Sequence, residues 1–178
     1  YGTMDNIRKA FREFIENVDK ETGWAVLCFE NENIRNIAAQ VDRKYISYAI
    51  EQPADYQAAN IETNGSGISF DVMHEGKSLG RVALNIPGRH NVLDAMAAVV
   101  TGISIGLTVQ QMADGLACFH GAKRRFQTKG RANGIWVVDD YAHHPTEIAT
   151  TLKAARQTKP KRLICAFQPH RYTRTQLL

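Results

Sequence analysis

Cysteine is scarce in this sequence. Cys28, Cys118 and Cys165 are its only three, and none has metal-ligand spacing. An odd, sparse set in apolar company argues against a disulfide framework and predicts buried thiols in a reducing, cytoplasmic compartment. Long apolar runs are missing too. Nothing approaches the roughly 20 residues of a membrane span, so no membrane partner is expected. A phosphate-binding P-loop is also lacking, because Gly65-Ser66-Gly67 has neither the spacing nor the Lys-Ser/Thr tail. No Ser-His-Asp or Cys-His set can be placed. No zinc finger, RNP-like strand or capped recognition helix is present, so nucleic acid is not an expected partner.

What is present is an ordinary globular composition: 178 residues, 44% of them hydrophobic. That suffices for one substantial core, or for one domain and part of another. The chain opens on Tyr1-Gly2-Thr3-Met4 and stops at Thr175-Gln176-Leu177-Leu178, and both ends are expected to lie inside a longer protein. The net charge of +4 conceals an asymmetry. Residues 1–122 carry 10 basic and 15 acidic side chains, whereas residues 123–178 carry 12 basic and 3 acidic ones. A basic half suits a polyanion, and a nucleotide serves as well as a nucleic acid.

Periodicity organises the first half as α/β. Apolar residues at helical spacing predict helices over 6–17, 33–41, 91–105 and 109–119, the last capped by Thr108. Short apolar runs predict strands over 24–29 and 44–49. Residues 55–62 form a further expected strand. Period-two alternation over 68–72 and 79–86 predicts an antiparallel hairpin on the edge of the larger sheet. Beyond a boundary near Gly121–Arg125 come a strand pair around 126–128 and 135–138, a helix over 146–157 and a strand over 162–167. The domain division is therefore expected at 1–122 and 123–178.

Four clusters carry polar groups that packing does not require. Pro87-Gly88-Arg89-His90-Asn91 opens the longest helix, where free N–H groups meet anions or polar base edges, and Asp94 follows one turn on. Lys123-Arg124-Arg125-Phe126 places three cations side by side, which favours an anion nearby, although a basic linker would look the same. Asp139-Asp140-Tyr141-Ala142-His143-His144-Pro145-Thr146-Glu147 fills a strand-to-helix turn. A strand-end carboxylate there accepts from ribose hydroxyls, and one imidazole can meet substrate while the other caps the helix. His170-Arg171-Tyr172-Thr173-Arg174-Thr175 offers two arginines and hydroxyls as a carboxylate or phosphate socket. The last two clusters follow what read as successive parallel strands and are expected to face one crevice.

In this order the four clusters resemble the bacterial Mur ligases, and among them the alanine-adding branch, over most of the chain. The resemblance implies the later part of a central ATP-binding domain with an attached antiparallel hairpin, then the start of a Rossmann-like C-terminal domain. It also implies an ATP- and Mg²⁺-dependent ligase that joins L-alanine to UDP-N-acetylmuramate through an acyl phosphate, in peptidoglycan precursor synthesis. No metal ligand is assigned within this chain. His90, Asn91 and Asp94 would lie beside the nucleotide, Arg125 would reach its phosphates, and Asp140 would bind ribose. His143 and His144 would lie near the reacting groups. His170, Arg171 and Arg174 would line the amino-acid and acyl-phosphate region. Lacking the UDP-sugar domain and the P-loop, the piece alone is expected to be inactive. A muropeptide-recycling ligase and a non-enzymatic nucleotide-binding module are the alternatives.

Overall fold

The computed structural model describes residues 2–169 and Gln176. Its first helix, α1 (Met4–Glu16), starts where the Thr3 hydroxyl accepts the Asn6 N–H at 3.2 Å. That bond satisfies one of the donors a helix start leaves free. β1 (Ala25–Cys28), α2 (Glu32–Ala38) and β2 (Tyr45–Ala49) follow, and β1 and β2 pair in parallel. Ile15 packs with Ala25, Leu27, Ile37 and Ala38 in a small core of its own. Phe11 and Phe14, on the same apolar stripe in sequence, remain exposed.

β3 (Tyr56–Asn64) joins β2 in parallel through two residue pairs, then turns into a meander with β4 (Gly67–His74) and β5 (Lys77–Leu84). The result is one five-stranded sheet in chain order, in which the expected hairpin is continuous with the larger sheet. Its junction is clamped at Ser47, a buried polar residue. The Ser47 N–H and hydroxyl both donate to the Asp55 carboxylate, and the Ser47 oxygen accepts the Asp55 N–H. Every polar group buried there thus has a partner.

The period-two reading of β4 holds: Ile68, Phe70 and Val72 point into the core. Helix α3 (Arg89–Ser104) covers that face with Val92, Ala95, Met96, Val99 and Val100. α4 (Val109–Ala117) begins at the expected Thr108 cap, reinforced by Gln111. The small residues of α3 allow close approach, since a Cβ on Gly102 would collide with Met112 of α4.

The second half contains β6 (Gln127–Ala132) and β7 (Ile135–Asp139), an antiparallel pair, and α5 (Pro145–Gln157). Asn133 and Gly134 both have positive φ, as a two-residue hairpin turn demands. Three expectations need correction. Residues 162–167 form no strand, because β7 pairs with β6 alone among the described residues and no second ladder is offered. Ile164 and Phe167 are accordingly exposed. For the same reason the successive parallel strands expected ahead of the last two clusters are absent among the described residues. The cysteines are not uniformly buried either: Cys118 ends α4 and Cys165 lies in the unpaired segment, both exposed, while Cys28 is half-buried. Among the described residues no helix is long and apolar enough to cross a membrane.

Phe70 is fully buried at the centre of the sheet–helix interface. Phe70→Ala is expected to cost about 3–5 kcal/mol of stability. Urea unfolding checks this, and a loss below about 1 kcal/mol would contradict the packing described.

Candidate functional site

The start of α3 is shaped by Gly88, whose φ is +108°. A Cβ there would strike the His90 ring and come within 3.1 Å of Ala154 on α5. Only glycine accepts both the backbone angle and this approach between the two halves of the chain. The Asn91 amide donates to the Pro87 carbonyl at 2.6 Å, which turns its side chain back onto the helix start. Arg89 leaves the site to pair with Glu51 at 2.7 Å.

The cationic triplet is divided by its backbone. Arg124 and Phe126 both have positive φ, a conformation uncommon for residues other than glycine. Arg124 lies over the Tyr141 ring at 4.6 Å, with its Nε 3.9 Å from Asp139. Phe126 is buried beside Trp136, with ring centroids 5.8 Å apart. Arg125, between them, lines a cavity of about 720 Å³ that is bounded by α3 and α5.

Each main-chain N–H of the turn from 141 to 144 has an acceptor. Tyr141 donates to the Arg124 carbonyl and Ala142 to Asp140 Oδ1. His143 and His144 both donate to Glu147 Oε2, at 3.1 and 3.3 Å. Asp140 Oδ2 also accepts the Phe126 N–H at 2.8 Å, so one carboxylate ties the strand end to the basic segment. His144 Nδ1 accepts the Thr146 N–H and caps α5. His143 Nδ1 lies 2.9 Å from the Tyr141 carbonyl, which makes that nitrogen the donor. Its buried Nε2 has no partner among the described residues.

The cavity gathers His90, Asn91, Asp94, Arg125 and Asp140 from both halves of the chain. His143 and His144 do not line it. His170, Arg171 and Arg174 lie outside the described residues. Sequence reasoning gave no role to Thr146, Glu147, Thr150 and Thr151, which form the α5 wall. Their spacing places them on one helix face, a signal carried by position and not by charge. Leu84, Ile86, Leu116 and Phe119 supply an apolar wall opposite.

Three carboxylates (Asp94, Asp140 and Glu147) and one guanidinium share this space. Burial holds His90 below its ordinary pKa and Arg125 adds to the effect, against the opposing pull of Asp94 and Asp140. Its ring is therefore biased towards the neutral form, able both to donate and to accept. The His143 N–H holds the Glu147 carboxyl below its usual range; burial opposes this, and the His144 N–H and the charges of His143 and Arg125 assist it. An apolar wall with hydroxyl-seeking carboxylates suits a flat polar ring bearing a sugar, with Arg125 free for an anion attached to it. Among the described residues no three of His, Cys, Asp and Glu converge as a metal site requires.

Models of the Mur ligase middle domain and of the Mur ligase glutamate ligase domain match residues 1–102 and 124–177. The chain is 48% identical to a UDP-N-acetylmuramate–L-alanine ligase of Pelotomaculum thermopropionicum, over 100% of its own length and 39% of that relative's. Among solved structures, a UDP-N-acetylmuramate–alanine ligase of Thermotoga maritima superposes with a TM-score of 0.75 at 26% identity, covering 88% of this chain and 34% of that one. A murein peptide ligase of Psychrobacter arcticus gives 0.62 at 30%, covering 89% and 33%. The chain thus spans about two fifths of the length of the curated relatives it matches. With one of these two domain models covering more than half of its residues, the chain belongs to the Mur ligase family.

Proposed function

We propose that this chain is part of an ATP-dependent ligase that joins L-alanine to UDP-N-acetylmuramate in peptidoglycan precursor synthesis, and that its cavity receives the nucleoside end of ATP. The observation that carries this reading is the convergence of His90, Asn91, Asp94, Arg125 and Asp140 on one cavity from both halves of the chain. Residues 1–122 would be the later part of the central ATP-binding domain, and residues 123–178 the start of the Rossmann-like domain.

In this reading the adenine lies against the apolar wall, where Asn91 and His90 offer polar edges. Asp94 can accept from its exocyclic amine. Asp140 uses one lone pair of each oxygen on a main-chain N–H and keeps others for ribose hydroxyls. Arg125 extends to the phosphates, where charge builds as a phosphoryl group moves to the substrate carboxylate. The amine of L-alanine then attacks the acyl phosphate, and phosphate departs as the amide forms. His144 is engaged in capping α5, so His143 is the candidate of that pair for the reacting groups. His170, Arg171 and Arg174 are proposed for the amino-acid and acyl-phosphate region. Among the described residues no three of His, Cys, Asp and Glu group as a metal site, and no step is assigned to Mg²⁺ within this chain. Exposed thiols at Cys118 and Cys165 suit a reducing compartment, and the cytoplasm is the proposed location.

A second reading, in which a peptide replaces L-alanine, is motivated by the likeness to a murein peptide ligase. The two separate in a product assay on the full-length protein. L-alanine is expected to be ligated to UDP-N-acetylmuramate and a tripeptide not, whereas the reverse preference would establish the recycling activity. In the same assay Arg125→Ala is expected to lower kcat roughly 100-fold, and unchanged ATP-dependent turnover would remove its proposed role. Asp140→Asn keeps an acceptor for one of the two main-chain N–H groups, sets an NH2 against the other and loses the charge. It is expected to weaken ATP binding roughly tenfold, and nucleotide titration with no loss would sink the ribose assignment.

A further inference from the structure

We infer that Glu147, besides lining the cavity, is a positioning residue for the nucleotide pocket, holding Arg125 and Asp140 in place through the turn. This rests on the nucleotide-binding reading above and deepens it.

The turn's main-chain hydrogen bonds are divided between two carboxylates. Asp140 anchors the turn's first half, accepting the Ala142 N–H and, across the boundary, the Phe126 N–H. Glu147 anchors the second half, accepting the consecutive N–H groups of His143 and His144. Pro145 has no N–H, so these donors and that of Thr146 complete the turn into α5. If the two N–H groups at Glu147 lost their acceptor, the segment between Asp140 and α5 would be held at one end only. Asp140 would then rest on its own bonds to Ala142 and Phe126 without support from the α5 side, and the Phe126 N–H next to Arg125 would have a less firmly placed partner. Arg125 sits between two residues with positive φ, a backbone that persists only when its surroundings hold it. The route from Glu147 to Arg125 is therefore carboxylate, turn, Asp140, Phe126, Arg125.

Reach matters more than charge here. A glutamine side chain has the same length, and its carbonyl oxygen can accept both N–H groups. An aspartate keeps the charge but is one carbon–carbon bond, about 1.5 Å, too short. It remains well suited to the first turn of a helix, so folding should survive the change.

The test compares Glu147→Gln and Glu147→Asp in the full-length protein. It measures ATP affinity by titration, ATP KM and kcat in ligation, and the melting temperature. The expected result is that Glu147→Asp raises the Kd and KM for ATP roughly tenfold, more than it lowers kcat, while Glu147→Gln stays within about threefold of the unmodified protein. Equal impairment by both variants would assign the effect to charge and overturn the inference. A lowered melting temperature with unchanged ATP KM would reduce Glu147 to a helix cap and overturn it as well. If the unmodified protein bound no nucleotide, the underlying reading would fall together with this one. Normal binding that neither variant altered would overturn the inference alone.

Discussion

The site depends on one carboxylate. Asp140 accepts the N–H of Phe126 from the basic boundary and the N–H of Ala142 from the strand-to-helix turn. Hydrogen bonds to an ionised acceptor are among the stronger ones a surface loop can make. This link joins the bond from the Tyr141 N–H to the Arg124 carbonyl in tying Arg125 to the turn. With it, a cation and an acid reach the same cavity, and the helix start at His90 and Asn91 closes it from the other half of the chain.

The large core makes this placement possible. The buried faces of β4 and α3 set the axis of α3, and Gly88 lets α5 approach its first turn. Position 88 therefore couples packing to the site. Its side chain is missing where His90 and Ala154 need the room. Buried Ala154 of α5, seated against Gly88, is an apolar point of contact between the halves. No ion pair crosses between residues 1–122 and the later segment among the described residues.

Much of this was legible in sequence because the signals were local. Alternation predicted β4, helical spacing predicted α3, and a hydroxyl ahead of an apolar run predicted the Thr108 cap. The clusters around His90, Arg125 and Asp140 stood out because packing does not explain them. The strand expected at 162–167 failed for a non-local reason: apolar residues favour a strand only where a neighbour supplies the ladder. The cysteines misled in a similar way, since apolar neighbours in sequence do not guarantee burial in space. One of the two histidines was expected to cap the helix, and His144 does so, but the sequence did not say which. That choice turns on which nitrogen meets which N–H, and composition does not encode it. The α5 wall went unread because hydroxyls and a single acid on a helix look like ordinary solvated surface.

The central claim is that two halves of this chain meet around one nucleotide. A crystal structure of the full-length protein with a bound, non-hydrolysable ATP analogue tests it most directly. The account predicts the base between α3 and α5, the ribose at Asp140 and the phosphates within reach of Arg125. Arg125 and Asp140 facing separate regions of solvent, with the nucleotide bound elsewhere, would contradict it.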